Sequence, residues 1–371
     1  MMRRFAALLL ALCLTCSFGA LAESGAIAIQ VTDVECDGGI VGRCAVPADY
    51  SVQSTVAYCG AGQSLGYPMQ LSIDAFSADG RTQLSYASAA SFIQILESTM
   101  NGMTVSTQQD GQMDETTLTL MMTLKSPGDY ADMMISALFP DAQITATGDA
   151  ELPPESQALL TTRMQERYDL TNSLFASDPN TTVDDAYCDV VERSYRFEKN
   201  GVPYRAAIST AVDAVQITQS CDTGILNVRL SYIAWEVPGI TLVVAPESEW
   251  DSAQAAFELF TLNTSASAAF QQANLDLSNQ IRESALANRS LSGAENTCRS
   301  AVSDLTDSSI DNTERFCDYI LSQNGYTLPD GSSVKIPMEY DYVYGDANGN
   351  LYASTSPSDI PAGMDALKRS D

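Results

Sequence analysis

Histidine is absent from this 371-residue chain, and that limits the chemistry its residues can support. Ser-His-Asp and Cys-His pairs need an imidazole base, and many zinc sites need imidazole ligands, so both classes are excluded. Carboxylates, tyrosine, lysine and oxygen-ligated metals remain. Glu247, Glu249 and Asp251 surround Trp250. Two acids across a cleft, with an aromatic platform for the sugar, are the parts of a glycosidase. Acids just after Pro246 are equally what the first turn of a helix prefers, because its dipole favours carboxylates there, and the helix-start reading is adopted. Asp184-Asp185 reads as a loop ahead of a strand. Asp346-x-Asn348-x-Asn350 has the spacing of the first three ligands of a calcium loop, but the glycine falls at position four and Pro357 stands where the loop's glutamate belongs. A hairpin turn, with Asn348-Gly349 supplying the positive φ angles, accounts for it. Ser332-x-x-Lys335 has the spacing of a Ser-Lys nucleophile, but in a strand i and i+3 point to opposite faces. Gly60-x-Gly62 lacks the third glycine and the helix of a phosphate cradle. Asn180, Asn263 and Asn288 each begin an N-glycan acceptor pattern, a match that arises often by chance. No catalytic residue, cofactor-binding residue or metal ligand is assigned, and no cofactor is expected.

The compartment is legible from the N-terminus. Met1-Met2-Arg3-Arg4 precedes an apolar run from Phe5 to Leu14, and Ala20-Leu21-Ala22 closes the segment. A short basic region, an apolar run and small residues at −3 and −1 are the parts of a secretory signal over residues 1–22. The run is shorter than the roughly 20 residues needed to span a bilayer. Lipid attachment at Cys16 is disfavoured by Thr15, where small residues are usual. The net charge is −28, and loss of the two cations Arg3 and Arg4 takes it to −30. Such a field repels phosphate backbones and anionic lipid heads, which argues against nucleic acid as a partner. It leaves extracellular proteins or glycans as candidate partners, and no transmembrane helix is expected in the mature chain. Seven cysteines follow the signal: Cys36, Cys44, Cys59, Cys188, Cys221, Cys298 and Cys317. An oxidising compartment implies disulfides, and the odd count leaves at least one thiol over. One local bridge is expected among Cys36, Cys44 and Cys59. For Cys298 and Cys317, pairing and burial as separate apolar side chains stay equally open.

The elements that must position these residues read as strands broken by helices. Met69, Leu71, Ile73 and Ala75 alternate with polar residues, Asp79-Gly80 turns, and Leu84 and Tyr86 resume the alternation, which is a β-hairpin. Thr117–Leu124 alternates again. A long pair flanks Asn200-Gly201, from about Tyr187 to Lys199 and from Val202 to Ile217. Leu226 to Tyr232 and Ile240 to Ala245 are two further strands. Helical spacing marks Tyr130 to Leu138, a segment opened by Pro153-Pro154, another after Pro246, and a long stretch through Phe270 and Ile281. Cys298 to Ile320 continues the helical pattern with a break. The last residues, from Tyr326 to Tyr352, sit among turns as two small hairpins.

The order of elements from about residue 45 to 262 resembles the PsbP-like fold, on the Val46-Pro47 opening, the Asp79-Gly80 and Asn200-Gly201 hairpins, and the segment from Ala245-Pro246 to Phe260. The run from Tyr326 to Pro361 is similar to the tails of secreted proteins of intestinal Gram-positive bacteria. The first resemblance implies an α+β fold, an antiparallel sheet flanked by helices, and a binding or accessory role without a shared active site. The expected organisation is a signal (1–22), an α+β sheet domain (23–262), a helical segment (263–322) and a small β module (323–371). With no catalytic constellation, the expectation is an exported, non-catalytic binding or accessory protein. The alternative is a secreted carboxylate-dependent hydrolase of the glycosidase type, and a structural or cation-binding role is a third reading.

Overall fold

The computed structural model describes residues 27–36, 38–58, 67–105, 107–114, 119–151, 154–288, 323–328, 331, 333–337, 340–346, 350–356 and 363–369. The signal segment, Cys59, Gly60-x-Gly62 and the helical pattern from Cys298 to Ile320 lie outside the described residues. The strands are β1 (Ile27–Cys36), β2 (Gly39–Pro47), β3 (Ser51–Tyr58), β4 (Met69–Phe76), β5 (Gln83–Met100), β6 (Thr145–Asp149), β7 (Thr181–Lys199), β8 (Val202–Asp222), β9 (Asn227–Pro246), β10 (Gln323–Thr327), β11 (Ser333–Pro337), β12 (Tyr342–Gly345) and β13 (Asn350–Ser354). The helices are α1 (Pro127–Leu138), α2 (Pro154–Leu174), α3 (Trp250–Asn263) and α4 (Ala268–Asn288).

The chain has an α+β fold built on antiparallel sheets. The central sheet runs β3-β4-β5-β9-β8-β7-β6, with Met103–Thr104 pairing the end of β5. Its long central hairpin turns at Asn200-Gly201, with φ of 54° and 76°. Both central residues of a two-residue turn of this hand need positive φ, which is why Asn-Gly occupies it. Pro127 sits at the start of α1, and the Ser126 hydroxyl accepts from the Asp129 amide as its cap. Tyr130 and Ile135 of α1 pack on Trp235, Ile208 and Tyr195 of one sheet face. Trp250, Phe257 and Phe260 of α3 pack on Leu71, Leu84, Ala207 and Val243 of the other.

β9 departs from expectation. The two strands read from the sequence are one strand of twenty residues. Its pairing with β8 is interrupted where Thr210 and Asp213 shift register. Pro238 and Gly239 fall in that interruption, where a missing N–H and a missing side chain cost the ladder least. Of Thr117–Leu124, the described residues contribute Thr119–Leu120 and a bridge from Met121 to Ile93.

The tail shares a sheet with the first hairpin. β13 pairs with β1, and a second sheet runs Ser265–Ala266, β2, β1, β13, β12 and Asp365–Ala366. Asp346 and Asn350 exchange backbone and side-chain hydrogen bonds across the β12–β13 turn, the Asp346 carboxylate accepting from both the amide and Nδ2 of Asn350. Those bonds use the two outer residues of the calcium-like spacing to hold a turn.

Two asparagines fasten helices to strands. Asn263 Oδ1 accepts from the Lys335 amide and its Nδ2 donates to the Lys335 carbonyl, both at 2.8 Å. Asn274 treats Met69 of β4 the same way, at 2.9 and 2.8 Å. Each side-chain amide completes a strand edge as a peptide group does. The Asn263 amide is thereby committed to β11. Asn263→Asp replaces its donor by a second oxygen facing the Lys335 carbonyl, and is expected to cost about 1–3 kcal/mol. Urea unfolding checks this; a loss under a few tenths of a kcal/mol would show that the clamp contributes nothing.

Among the described cysteines Cys36, Cys44, Cys188 and Cys221 are thiols. Cys36 stands opposite Gly39 while Cys44 stands opposite Thr32, so they are about 13 Å apart along the ladder at roughly 3.3 Å per residue. That is too far for a bridge between these two.

Candidate functional site

The sheet face beneath α3 carries a polar strip. On β7, Arg196, Ser194 and Glu192 share this face, and their partners on β8 are Arg205, Ala207 and Ser209. Thr241 of β9 stands opposite Ser209. Alternate residues of a strand share a face, so the intervening Arg193, Tyr195 and Phe197 point to α1. Arg193 reaches Asp132 of α1 at 2.8 Å, and the Tyr195 hydroxyl donates to the same carboxylate at 2.9 Å.

The strip is therefore three rows deep: a cationic row (Arg196, Arg205), a row of small residues (Ser194, Ala207) and an acid and hydroxyl row (Glu192, Ser209). Where the side chains are small the space is empty. It forms a cavity of about 480 Å³, walled by Thr147–Ala150 at the sheet edge and by Trp250, Gln254, Phe257 and Glu258 of α3. This size is ordinary for a small-molecule site.

Electrostatics differ at the two ends. The Arg205 guanidinium lies 4.4 Å from the centre of the Trp250 ring, an attraction of about 0.5–2 kcal/mol. Burial, and then the neighbouring Arg196, lower its proton affinity. Arg196 pairs with Glu247 at 3.1 Å. At the other end Glu192 is only 9% exposed and Glu258 4%. Burial pushes the Glu192 carboxyl from 4.5 up to about 7. Its Oε2, and the hydroxyls of Ser209 and Thr241, have no hydrogen-bond partner among the described residues. Each buried polar atom left this way costs about 1–3 kcal/mol.

A second polar cluster lies further along the same face, under α2. Asp213 stands opposite both Cys188 and Glu236. Glu236 pairs with Arg167 of α2 at 3.4 Å and accepts from the Tyr67 hydroxyl at 3.2 Å. Burial raises the proton affinity of Asp213 and of Glu236, and pushes the Cys188 thiol far up. These groups satisfy one another, and Cys188 is an inert buried thiol at neutral pH.

Of the residues singled out from the sequence, only Trp250 lines the cavity. Glu247 pairs with Arg196, and Glu249 pairs with Arg81 at the surface. Pro246 opens a single 3₁₀ turn, Glu247–Glu249, ahead of α3, which is the helix-start role. Asp184 and Asp185 lie within β7, at a bulge, and not in a loop before it. Asp184 accepts from the hydroxyls of Thr218 and Thr182, and Asp185 from the amide of Ala186. Lys335 lies in β11, while Ser332 is outside the described residues. The cavity acids Glu192 and Glu258 went unnoticed in the sequence. Glu258 had a signal, an acid set between Phe257 and Leu259-Phe260 in an apolar run. Among the described residues no group of three or more acids and cysteines is placed to hold a metal, and no helix is long and apolar enough to cross a membrane.

No protein-family profile matches the chain, and no curated protein does. Among solved structures it is similar to cyanobacterial PsbP from Synechocystis sp. PCC 6803, at 10% identity and a TM-score of 0.19, over 67% of this chain and 99% of that one. At that score the likeness carries no argument about function.

Proposed function

We propose that this is an exported, non-catalytic binding protein that holds a small polar ligand between α3 and the central sheet. The observation that carries the reading is the cavity itself, with an arginine over Trp250 at one end and, at the other, the buried Glu192, whose Oε2 has no hydrogen-bond partner among the described residues. Polar groups held dry and unpaired are costly to a fold, and a ligand that satisfies them offsets that cost. The basic, apolar and small-residue segments of 1–22 support export.

The test is a thermal-shift screen of amino acids, short peptides, saccharides and nucleosides against the wild type and Ser194→Leu. Ser194 is half-buried on the cavity floor, so leucine fills the space without entering a packed core. At least one compound is expected to raise the melting temperature of the wild type and to do nothing for Ser194→Leu. The reading fails if no compound stabilises the wild type, or if the two proteins respond alike.

A carboxylate-dependent hydrolase of the glycosidase type is the second reading. It is favoured by Glu192 and Glu258 lining one cavity, with Glu192 holding a proton near neutrality as a general acid must. Turnover of nitrophenyl glycosides, abolished by Glu192→Gln, would establish it in place of the first.

A further inference from the structure

We infer that the ligand of this cavity is a zwitterion of dipeptide length, its carboxylate held by Arg205 and its ammonium by Glu192. The inference rests on the binding reading above and adds the chemical class of the ligand. Four observations carry it.

The first is the sign of the two ends. Arg205 and Arg196 stand in one cross-strand row, and Glu192 stands two rows away on the same face, with Glu258 walling the same cavity from α3. An anion alone would leave the acid end unmet, and a cation alone would face the arginines. A neutral sugar would supply donors and acceptors but compensate neither charge.

The second is the state of Arg205. Its guanidinium lies over the Trp250 ring, and its N–H groups form the fork that grips a carboxylate with two parallel bonds. Of the two acids whose charge reaches Arg205, Glu247 is engaged with Arg196, and Asp251 lies in the first turn of α3.

The third is the state of Glu192. Its side chain is nine-tenths buried, and its Oε2 lacks a donor among the described residues. The hydroxyls of Ser209 and Thr241, next along the same row, also lack partners. An ammonium brings three donors and no acceptor, which is what a carboxylate oxygen in this position requires.

The fourth is length. The arginine row and the acid row are four residues apart along β8, about 13 Å between Cα atoms. A dipeptide spans about 7 Å fully extended. A hydrogen bond of about 3 Å at each end takes up the remainder, a span that a single amino acid, about 3.5 Å long, falls short of. Between the rows Ala207 and Ser194 leave room for the peptide's own side chains.

The experiment is calorimetric titration of the full chain with alanyl-alanine, its N-acetyl form, its C-terminal amide, and maltose. Alanyl-alanine is expected to bind, and each blocked form to bind at least tenfold more weakly. Arg205→Met should weaken alanyl-alanine at least tenfold yet leave the affinity for the C-terminal amide unchanged, because that form has no carboxylate to lose. Glu192→Gln should weaken alanyl-alanine and leave the N-acetyl form unchanged. A variant that merely unfolds would lose every ligand alike, and circular dichroism identifies it; the blocked forms on the wild type then decide alone. The inference is overturned if blocked and free peptides bind equally, or if alanyl-alanine does not bind at millimolar concentration. Binding of maltose alone would overturn the zwitterion and leave the binding protein standing. A screen in which nothing stabilises the wild type would take both.

Discussion

Trp235→Ala is expected to cost about 3–5 kcal/mol of folding free energy, the range for removing a large buried aromatic. Trp235 is 2% exposed and stands where three elements meet. Its ring lies 4.4 Å from that of Phe92 on β5 and meets Tyr130 of α1 edge-on at 6.2 Å. Such ring pairs add about 0.5–1.5 kcal/mol each beyond the area they bury. The indole Nε1 donates to the Met122 carbonyl at 2.9 Å, tying the segment after Thr119–Leu120 to the sheet. Alanine removes the ring contacts and leaves that carbonyl without its donor. Trp235→Phe restores most of the packing but not the hydrogen bond, and should cost about 1–3 kcal/mol. Urea unfolding of the three proteins separates the two contributions. A loss below 1 kcal/mol for the alanine variant would mean that α1 and β5 close around the gap. Because Trp235 belongs to the α1 face, ligand binding on the α3 face should survive wherever the variant is folded.

That division between faces explains how much of the protein was legible in its residues. Asp79-Gly80 and Asn200-Gly201 announced their hairpins because only particular residues adopt the turn geometry. α1 was announced by the apolar spacing from Tyr130 to Leu138, and the start of α3 by Pro246 together with its apolar spacing; the cap at Ser126 and the proline at Pro127 had given no signal. β9 was read as two strands because Glu236, Pro238 and Gly239 interrupt its apolar pattern, though the chain runs on through the irregularity. The cavity was hidden for a different reason. Alternation along β7 shows that Glu192, Ser194 and Arg196 share a face opposite Tyr195 and Phe197, but period two says nothing about which face is wet. A polar face is ordinarily assigned to solvent. Here α3, from residues some sixty positions later, lies over it. The pairing of β13 with β1 was hidden by the same kind of distance, since no local pattern records a partner that arrives at the far end of the chain.

Glu192→Gln is expected to stabilise the protein by about 3 kcal/mol at pH 8 and by almost nothing at pH 4. Burial raises this carboxyl from 4.5 to about 7 in the folded chain, and each unit of pKa is worth about 1.4 kcal/mol. The sign follows from which state holds the proton. Below pH 4.5 the folded and unfolded chains both carry it, and Glu192 costs nothing. Between 4.5 and 7 the unfolded chain releases the proton while the folded chain keeps it, so stability falls as pH rises. Above 7 the penalty is complete, and an uncharged glutamine of the same shape avoids it. The charged groups around Glu192 do not remove the penalty. Glu258 on α3 and Asp149 at the end of β6 are of like sign, and Arg196 on its own strand and Arg205 on β8 stand two rows away across the cavity. Urea unfolding at pH 4, 6 and 8 tests this, and an equal gain at all three would mean that glutamine simply packs better. An acid kept at such a cost where a neutral residue would fold better is the pattern of a site retained for use, because stability is commonly sacrificed where function needs a strained or unpaired group. Affinity for an ammonium-bearing ligand should then move the opposite way, weakening about tenfold for each pH unit below 7, because the carboxylate must shed its proton before it can accept from the ligand.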